Sequence, residues 1–146
     1  MVRSLLLFLA TLIIFRSCVN NNGQQPAVLV GSFTELPHAF RAGCTCLLTA
    51  NSGFVLVNDN NARPDGSGAA SMMLDGKVVL LNRMKLEPLQ NGGRRMVYEG
   101  EGYRVELSLT EGTSTQPEPV PVTGSLQVSF PGKAAAEMAV TGHCGC

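Results

Sequence analysis

The sequence predicts an all-β fold, either an antiparallel sandwich or a small flattened β-barrel of seven to eight strands, stapled by one or two disulfides. Three observations predict it. Short apolar runs alternate with turn-forming residues from residue 42 to the last residue of the chain, which is the pattern of hairpin-linked strands. Beyond the N-terminal apolar stretch, no segment keeps a helical period long enough for an amphipathic helix. Four cysteines fall into two C-x-C pairs, Cys44 with Cys46 and Cys144 with Cys146, about a hundred residues apart.

The chain opens with "MVRSLLLFLATLIIFRSC". A basic start at Arg3 precedes residues 5–15, which are apolar apart from Thr11. A run of that length fits the h-region of an export signal and is too short to span a bilayer. Ser17 followed by Cys18 resembles the end of a bacterial lipoprotein signal, in which the cysteine after a small residue carries the lipid. That resemblance implies a signal peptide over residues 1–17 and lipidation of Cys18; cleavage of the signal elsewhere and an uncleaved anchor are the alternatives. The next stretch is polar and rich in Asn and Gln, so residues 18–35 read as a flexible tether. Residues 36–146 then form a single β domain.

Within that domain, "AGCTCLLTA" (42–50) and "GFVLVN" (53–58) flank a turn at Asn51 and Ser52. The polar loop "NDNNARPDGSG" (58–68) follows. "AASMML" and "KVVLL" flank Asp75 and Gly76, and D-G between apolar runs signals a two-residue type I′ hairpin. "RRMVY" and "YRVELSL" form a second hairpin across 99–102. In its second strand Tyr103, Val105, Leu107 and Leu109 alternate with polar residues, which predicts one buried face. The proline-rich stretch 110–122 reads as an extended loop, because Pro117, Pro119 and Pro121 cannot donate to a sheet ladder. "TGSLQVSF" and "EMAVTGHC" supply the last two strands, with "KAAAE" between them able to form a helical turn.

Residues i and i+2 of a strand share a face about 6.6 Å apart, too far for a disulfide that needs its Cβ atoms about 3.8 Å apart. Bonds between the two C-x-C pairs are therefore the expectation. Antiparallel neighbours would join Cys44 to Cys146 and Cys46 to Cys144; parallel neighbours would join Cys44 to Cys144 and Cys46 to Cys146. One such bond closes a loop of about 100 residues, worth roughly 4–5 kcal/mol by chain entropy, and the second adds far less. The alternative use of these sulfurs is a soft metal site for Zn or Cu, with Cys44, Cys46, Cys144, Cys146 and His143 as ligands.

Lys and Arg balance Asp and Glu at 11 each, which leaves no field to draw nucleic acid, and the doublet of Arg94 and Arg95 is too short to track phosphates. Catalytic motifs are missing. No G-x-S-x-G elbow occurs, and His38, among apolar neighbours, has no partner in sequence. Counted from Asp59, an EF-hand template is broken at Arg63 and again at Ala70. Glu99 and Glu101 sit on a turn. The reading is a non-enzymatic protein without a cofactor.

The order "AGCTC…LDGKVVLL…YEGEGY…TGSLQV…GHCGC" resembles small exported bacterial lipoproteins with a G-C-x-C start and a C-G-C end. "AASMMLDGKVVLL" followed by "GGRRMVYEGEGYRVEL" is similar to the membrane-bound inhibitors of C-type lysozyme. That second resemblance implies a small lipid-anchored antiparallel β-barrel with an early-to-late disulfide. It does not carry over the inhibitor motif S-G-x-x-Y: Asn91 stands where a serine would, and Tyr98 lies some five residues beyond Gly92 and Gly93. The expectation is an exported, membrane-anchored binding module in the cell envelope whose partner is a macromolecule. Its contacts are expected from the loops at 58–68 and 90–95, through Asn58, Asp59, Asp65, Asn91, Arg94 and Arg95. The two arginines would meet an acidic groove as ion-pair donors. The alternative is a metal-handling protein using the thiols and His143.

Overall fold

A computed structural model of the chain describes residues 25–35, 44–51, 53–59, 68–90 and 92–146. The signal segment, Cys18, His38, Asp65 and Asn91 lie outside these residues. Nine strands occur among the described residues: β1 (Val30–Gly31), β2 (Thr45–Ala50), β3 (Gly53–Asp59), β4 (Ala69–Leu74), β5 (Lys77–Pro88), β6 (Arg94–Gly100), β7 (Tyr103–Glu111), β8 (Val120–Ser129) and β9 (Ala136–Gly145).

From β2 to β9 each strand pairs antiparallel with the next, and β9 pairs antiparallel with β2. The result is a closed eight-stranded up-and-down barrel with β1 added on β4. Seven of its eight pairings join sequence neighbours. Closure is the exception: Cys46 opposes Cys144 and Thr45 opposes Gly145, so the β2–β9 seam brings together segments 98 residues apart. Closing a loop of that length is the entropic cost of the fold, whereas the hairpins close locally.

Turn chemistry starts two hairpins where the sequence indicates. Asp75 and Gly76 have φ of 48° and 83°, and Glu101 and Gly102 have 50° and 85°, the paired positive values of a type I′ turn. Alternation then sorts the side chains. Tyr103, Val105, Leu107 and Leu109 point into the barrel with Leu48, Leu56, Met72, Leu81, Tyr98 and Leu126. Side chains thus fill the interior, as expected for eight strands. Burying each such Leu contributes about 1.5–3 kcal/mol. Two glycines let the wall coil tightly enough to close. A Cβ on Gly124 would run into the Ser108 carbonyl oxygen, and one on Gly142 into that of Leu47. Bulges at Val55 in β3, opposite the Leu48–Thr49 step of β2, and at Met84 in β5 add local bend.

Three expectations need correction. The tether does not extend to residue 35, because the apolar run that includes Val28 and Val30 packs into the domain. Ala27 bridges Ala134, Val28 is buried in the core, and Phe33 bridges Phe54. Through β1 this segment fills the gap where β3 and β4 part beyond Leu56 and Met72. The proline-rich loop is shorter than expected, since Val120, Pro121 and Val122 belong to β8. Pro121 keeps its carbonyl in the ladder, accepting from the Gly112 N–H at 2.8 Å. The "KAAAE" segment forms no helical turn: Ala134 makes the bridge and Ala136 opens β9.

The end of the barrel at the Asp75 turn is closed by one carboxylate. The Tyr103 hydroxyl donates to Asp75 Oδ2 at 2.6 Å, and Lys133 Nζ lies 2.8 Å from the same oxygen. The Leu29 N–H donates to Asp75 Oδ1 at 3.1 Å, while the Asp75 N–H donates to the Leu29 carbonyl at 2.8 Å. Asp75 therefore ties together the segment before β1, the start of β7 and the β8–β9 connection. These contacts, the Lys133 hydrogen bond foremost, hold its carboxyl at a pKa of about 2.

Candidate functional site

The opposite end of the barrel carries both disulfides. Cys44 is bonded to Cys146 and Cys46 to Cys144, the antiparallel pairing. They follow from register: Cys46 faces Cys144 directly, and both side chains point inward. The Cys46–Cys144 bond is buried, with Cys46 0% exposed, whereas Cys146 at the rim is exposed. Both staples lie on the barrel's one long-range seam, which they weld shut.

Arg94 covers the inner disulfide. Its Nη2 lies 3.4 Å from Cys46 Sγ and 3.3 Å from Cys144 Sγ, and its Nη1 lies 3.2 Å from Glu111 Oε1. Position in β6 explains this: Arg94, Met96 and Tyr98 share the inward face, so the first residue of that series reaches the mouth. Leu86, Pro88, Gly92, Gly93, Arg94 and Glu111 line a rim cleft of about 310 Å³ beside it.

Beneath the rim the interior is polar. Asn58 Nδ2 donates to the Tyr98 hydroxyl oxygen at 2.8 Å, and the Tyr98 hydroxyl donates to Met96 Sδ at 3.3 Å. Burial pushes the Tyr98 phenol up, while the Asn58 hydrogen bond and the Arg83 charge act the other way. Among the described residues, Asn58 Oδ1 is buried without a hydrogen-bond partner. The Arg83 side chain is also buried, its guanidinium carbon packed so closely on Gly68 that a Cβ there would stand 2.9 Å away.

The expected contact residues separate accordingly. Asn58 is no loop contact: as an inward position of β3 it is 1% exposed and belongs to the interior network. Asp59, the last residue of β3, is half-buried opposite Thr45. Arg94 serves the disulfide and Glu111. Arg95 faces outward and pairs with Glu106, which also takes Arg104 Nε at 3.1 Å. Those two arginines hold the Glu106 carboxyl below its usual range, Arg95 first. His143 is turned away from the inner disulfide. It points outward between Leu47 and Pro121, while Cys144 points in. It lines an open hollow of about 480 Å³ with Thr45, Leu47, Glu118, Pro119, Gly145 and Cys146. With all four sulfurs in disulfides, thiolate ligation of a metal would require their reduction.

Sequence reasoning missed Asp75 as a hub, Arg83 as a buried charge, and Arg94 as a cover for sulfur. Only Arg83 left a signal: it continues the inward series of Val79 and Leu81 in β5, so a period-2 count puts a charge on the buried face.

Comparisons with protein-family models, with curated proteins and with solved structures find no match.

Proposed function

We propose that the chain is an exported, lipid-anchored protein of the bacterial cell envelope whose barrel is a non-catalytic scaffold for binding a macromolecule. The observation that carries the reading is the filled interior: fully buried side chains such as Tyr98, Leu48, Met72 and Leu126 occupy the barrel, which leaves binding to its rim and outer wall. The disulfides agree with an oxidising compartment. The rim is stapled at the β2–β9 seam, so the loops leaving β3, β5 and β7 project from a rigid base. Rigid presentation lowers the ordering cost of binding.

The resemblance to lysozyme inhibitors makes a C-type lysozyme the first partner to test. A lysozyme cleft is lined by carboxylates that the rim arginine Arg94 and the outer Arg95 could engage if they exchanged their glutamate partners. Titrating the purified mature protein against C-type lysozyme, with cell-wall lysis as readout, decides this. Inhibition at or below micromolar excess supports the specific reading. Undiminished lysis removes lysozyme and leaves another envelope macromolecule as the partner.

A further inference from the structure

The outer wall of β5 is unusually apolar. Leu29 is 67% exposed, Val78 51% and Leu80 56%. They form one patch at the Asp75 end: Val78 opposes Met73, Leu80 opposes Ser71, and Met73 opposes Gly31 on β1, next to Leu29. Farther along the same strand Met84 is also exposed. Scattered apolar residues on a surface need no account, but a contiguous set on one wall marks a contact face.

The course of the chain says what covers it. The described structure begins at Gln25, and the Ala134 N–H donates to the Pro26 carbonyl at 3.1 Å, so the chain enters at the Asp75 end of the barrel. Six residues, and so seven Cα–Cα steps, separate Gln25 from Cys18, and upstream of that lies the apolar run 5–15. Seven steps span at most about 25 Å. The twelve residues of β5 alone run about 40 Å. An anchor at Cys18 therefore holds the Asp75 end near the lipid, within less than the length of the barrel wall.

We propose that the Asp75-end part of the wall, built from Leu29, Met73, Val78 and Leu80, rests on the surface of a lipid bilayer, with the barrel tilted so that the disulfide rim stands farther from it. The inference rests on the reading of Cys18 as the anchor and adds an orientation to it. Docking of the apolar patch removes it from water and fixes which end of the barrel is open to partners.

The chain contains no tryptophan, so a single introduced Trp reports its own surroundings. Leu80→Trp places one on the proposed face, and Ala139→Trp places one on β9, across the barrel at a similar height and also exposed. Each is made in the full mature protein and bound to phosphatidylethanolamine and phosphatidylglycerol vesicles carrying acyl-chain bromine as quencher. The expected result is quenching of Leu80→Trp at least threefold stronger than that of Ala139→Trp. Equal quenching in protein that sediments with the vesicles overturns the docking face while keeping the anchor. Protein that stays in the supernatant overturns the anchor and the orientation together. A cross-linked dimer with Leu80→Trp shielded but unquenched overturns the lipid in favour of a second copy. A Cys18→Ala chain that still sediments, and loses this on Val78→Glu with Leu80→Glu, supports the face independently of the anchor.

Discussion

The Arg94 guanidinium rests on the Cys46–Cys144 disulfide, with Nη2 3.3 Å from Cys144 Sγ. The contact joins the first residue of β6 to the end of β9 across the barrel mouth. It shows how the fold uses its ends differently: one is plugged by a carboxylate and a tyrosine, the other by sulfur under a cation. Replacing Arg94 by Met should keep the packing while exposing the inner disulfide to solvent reductant. Its reduction by a small dithiol is expected to be several-fold faster than in the wild type, measured by timed alkylation; an unchanged rate would mean that Arg94 gives no cover.

The two staples close nearly the same loop, so their removal should be strongly non-additive. Replacing Cys44 and Cys146 with Ser leaves the inner bond to close the loop, and the expected loss is below about 1 kcal/mol. Replacing Cys46 and Cys144 with Ala should cost more, because both are buried core residues. Removing all four should cost about 2–5 kcal/mol beyond the sum of the pairs. Urea unfolding of the three variants measures this, and simple additivity would contradict it.

Asp75 predicts an acid limb of stability. Its folded pKa is about 2 against an ordinary 3.8, so its contribution is fully present above about pH 4 and is lost as pH falls toward 2. Tyr103 supplies the alkaline counterpart. The hydrogen bond to Asp75 raises its pKa from 10.0 to about 12, so its contribution holds below pH 10 and is lost on approach to 12. Asp75→Asn preserves the turn, since Asn tolerates positive φ, and should flatten both limbs in urea midpoints followed across pH. Limbs as steep as in the wild type would show that the hub does not govern them.

Asn58 and Tyr98 form a buried pair that should show coupling. Tyr98→Phe leaves Asn58 Nδ2 without its oxygen acceptor, and Asn58→Leu leaves the phenol without that donor; each should cost about 1–3 kcal/mol. The double variant should cost clearly less than the sum, because neither polar group is then stranded. A double-mutant cycle in chemical denaturation reads the coupling, and zero coupling would remove the network.

Gly124 and Gly142 should resist any side chain, because a Cβ would meet the backbone of the neighbouring strand. Ala at either is expected to cost about 1–3 kcal/mol, the range for overpacking. Gly132, with open space around it, is the control for crowding, although its φ of 77° still disfavours Ala. Thermal unfolding of the Ala variants should place Gly124 and Gly142 below Gly132.

Much of this fold was legible in local chemistry. Asp75 and Gly76 announced their hairpin because few residue pairs accept two positive φ values, and the series from Tyr103 to Leu109 announced its buried face by period. The two C-x-C pairs indicated a seam between early and late strands, although register alone decided which cysteine met which. Less legible were features set by position in the closed barrel. Asn58 looked like a loop residue because it borders one, yet strand parity turns it inward. Val28 and Val30 looked like part of a tether because their neighbours upstream are polar, yet the gap between β3 and β4 takes them in. Arg94 looked like a surface cation because its sulfur partners are 48 and 50 residues away.

The barrel is welded at its closing seam by two staples between the same pair of segments, which is consistent with an oxidising compartment. The most direct test is disulfide mapping of protein matured in the cell envelope, with free thiols alkylated before digestion. Only Thr45 separates Cys44 from Cys46, so fragmentation of the linked peptides must resolve the pairs. The account predicts Cys44 joined to Cys146 and Cys46 joined to Cys144, with no alkylated thiol among the four. Four alkylated thiols, or Cys44 joined to Cys144, would contradict it.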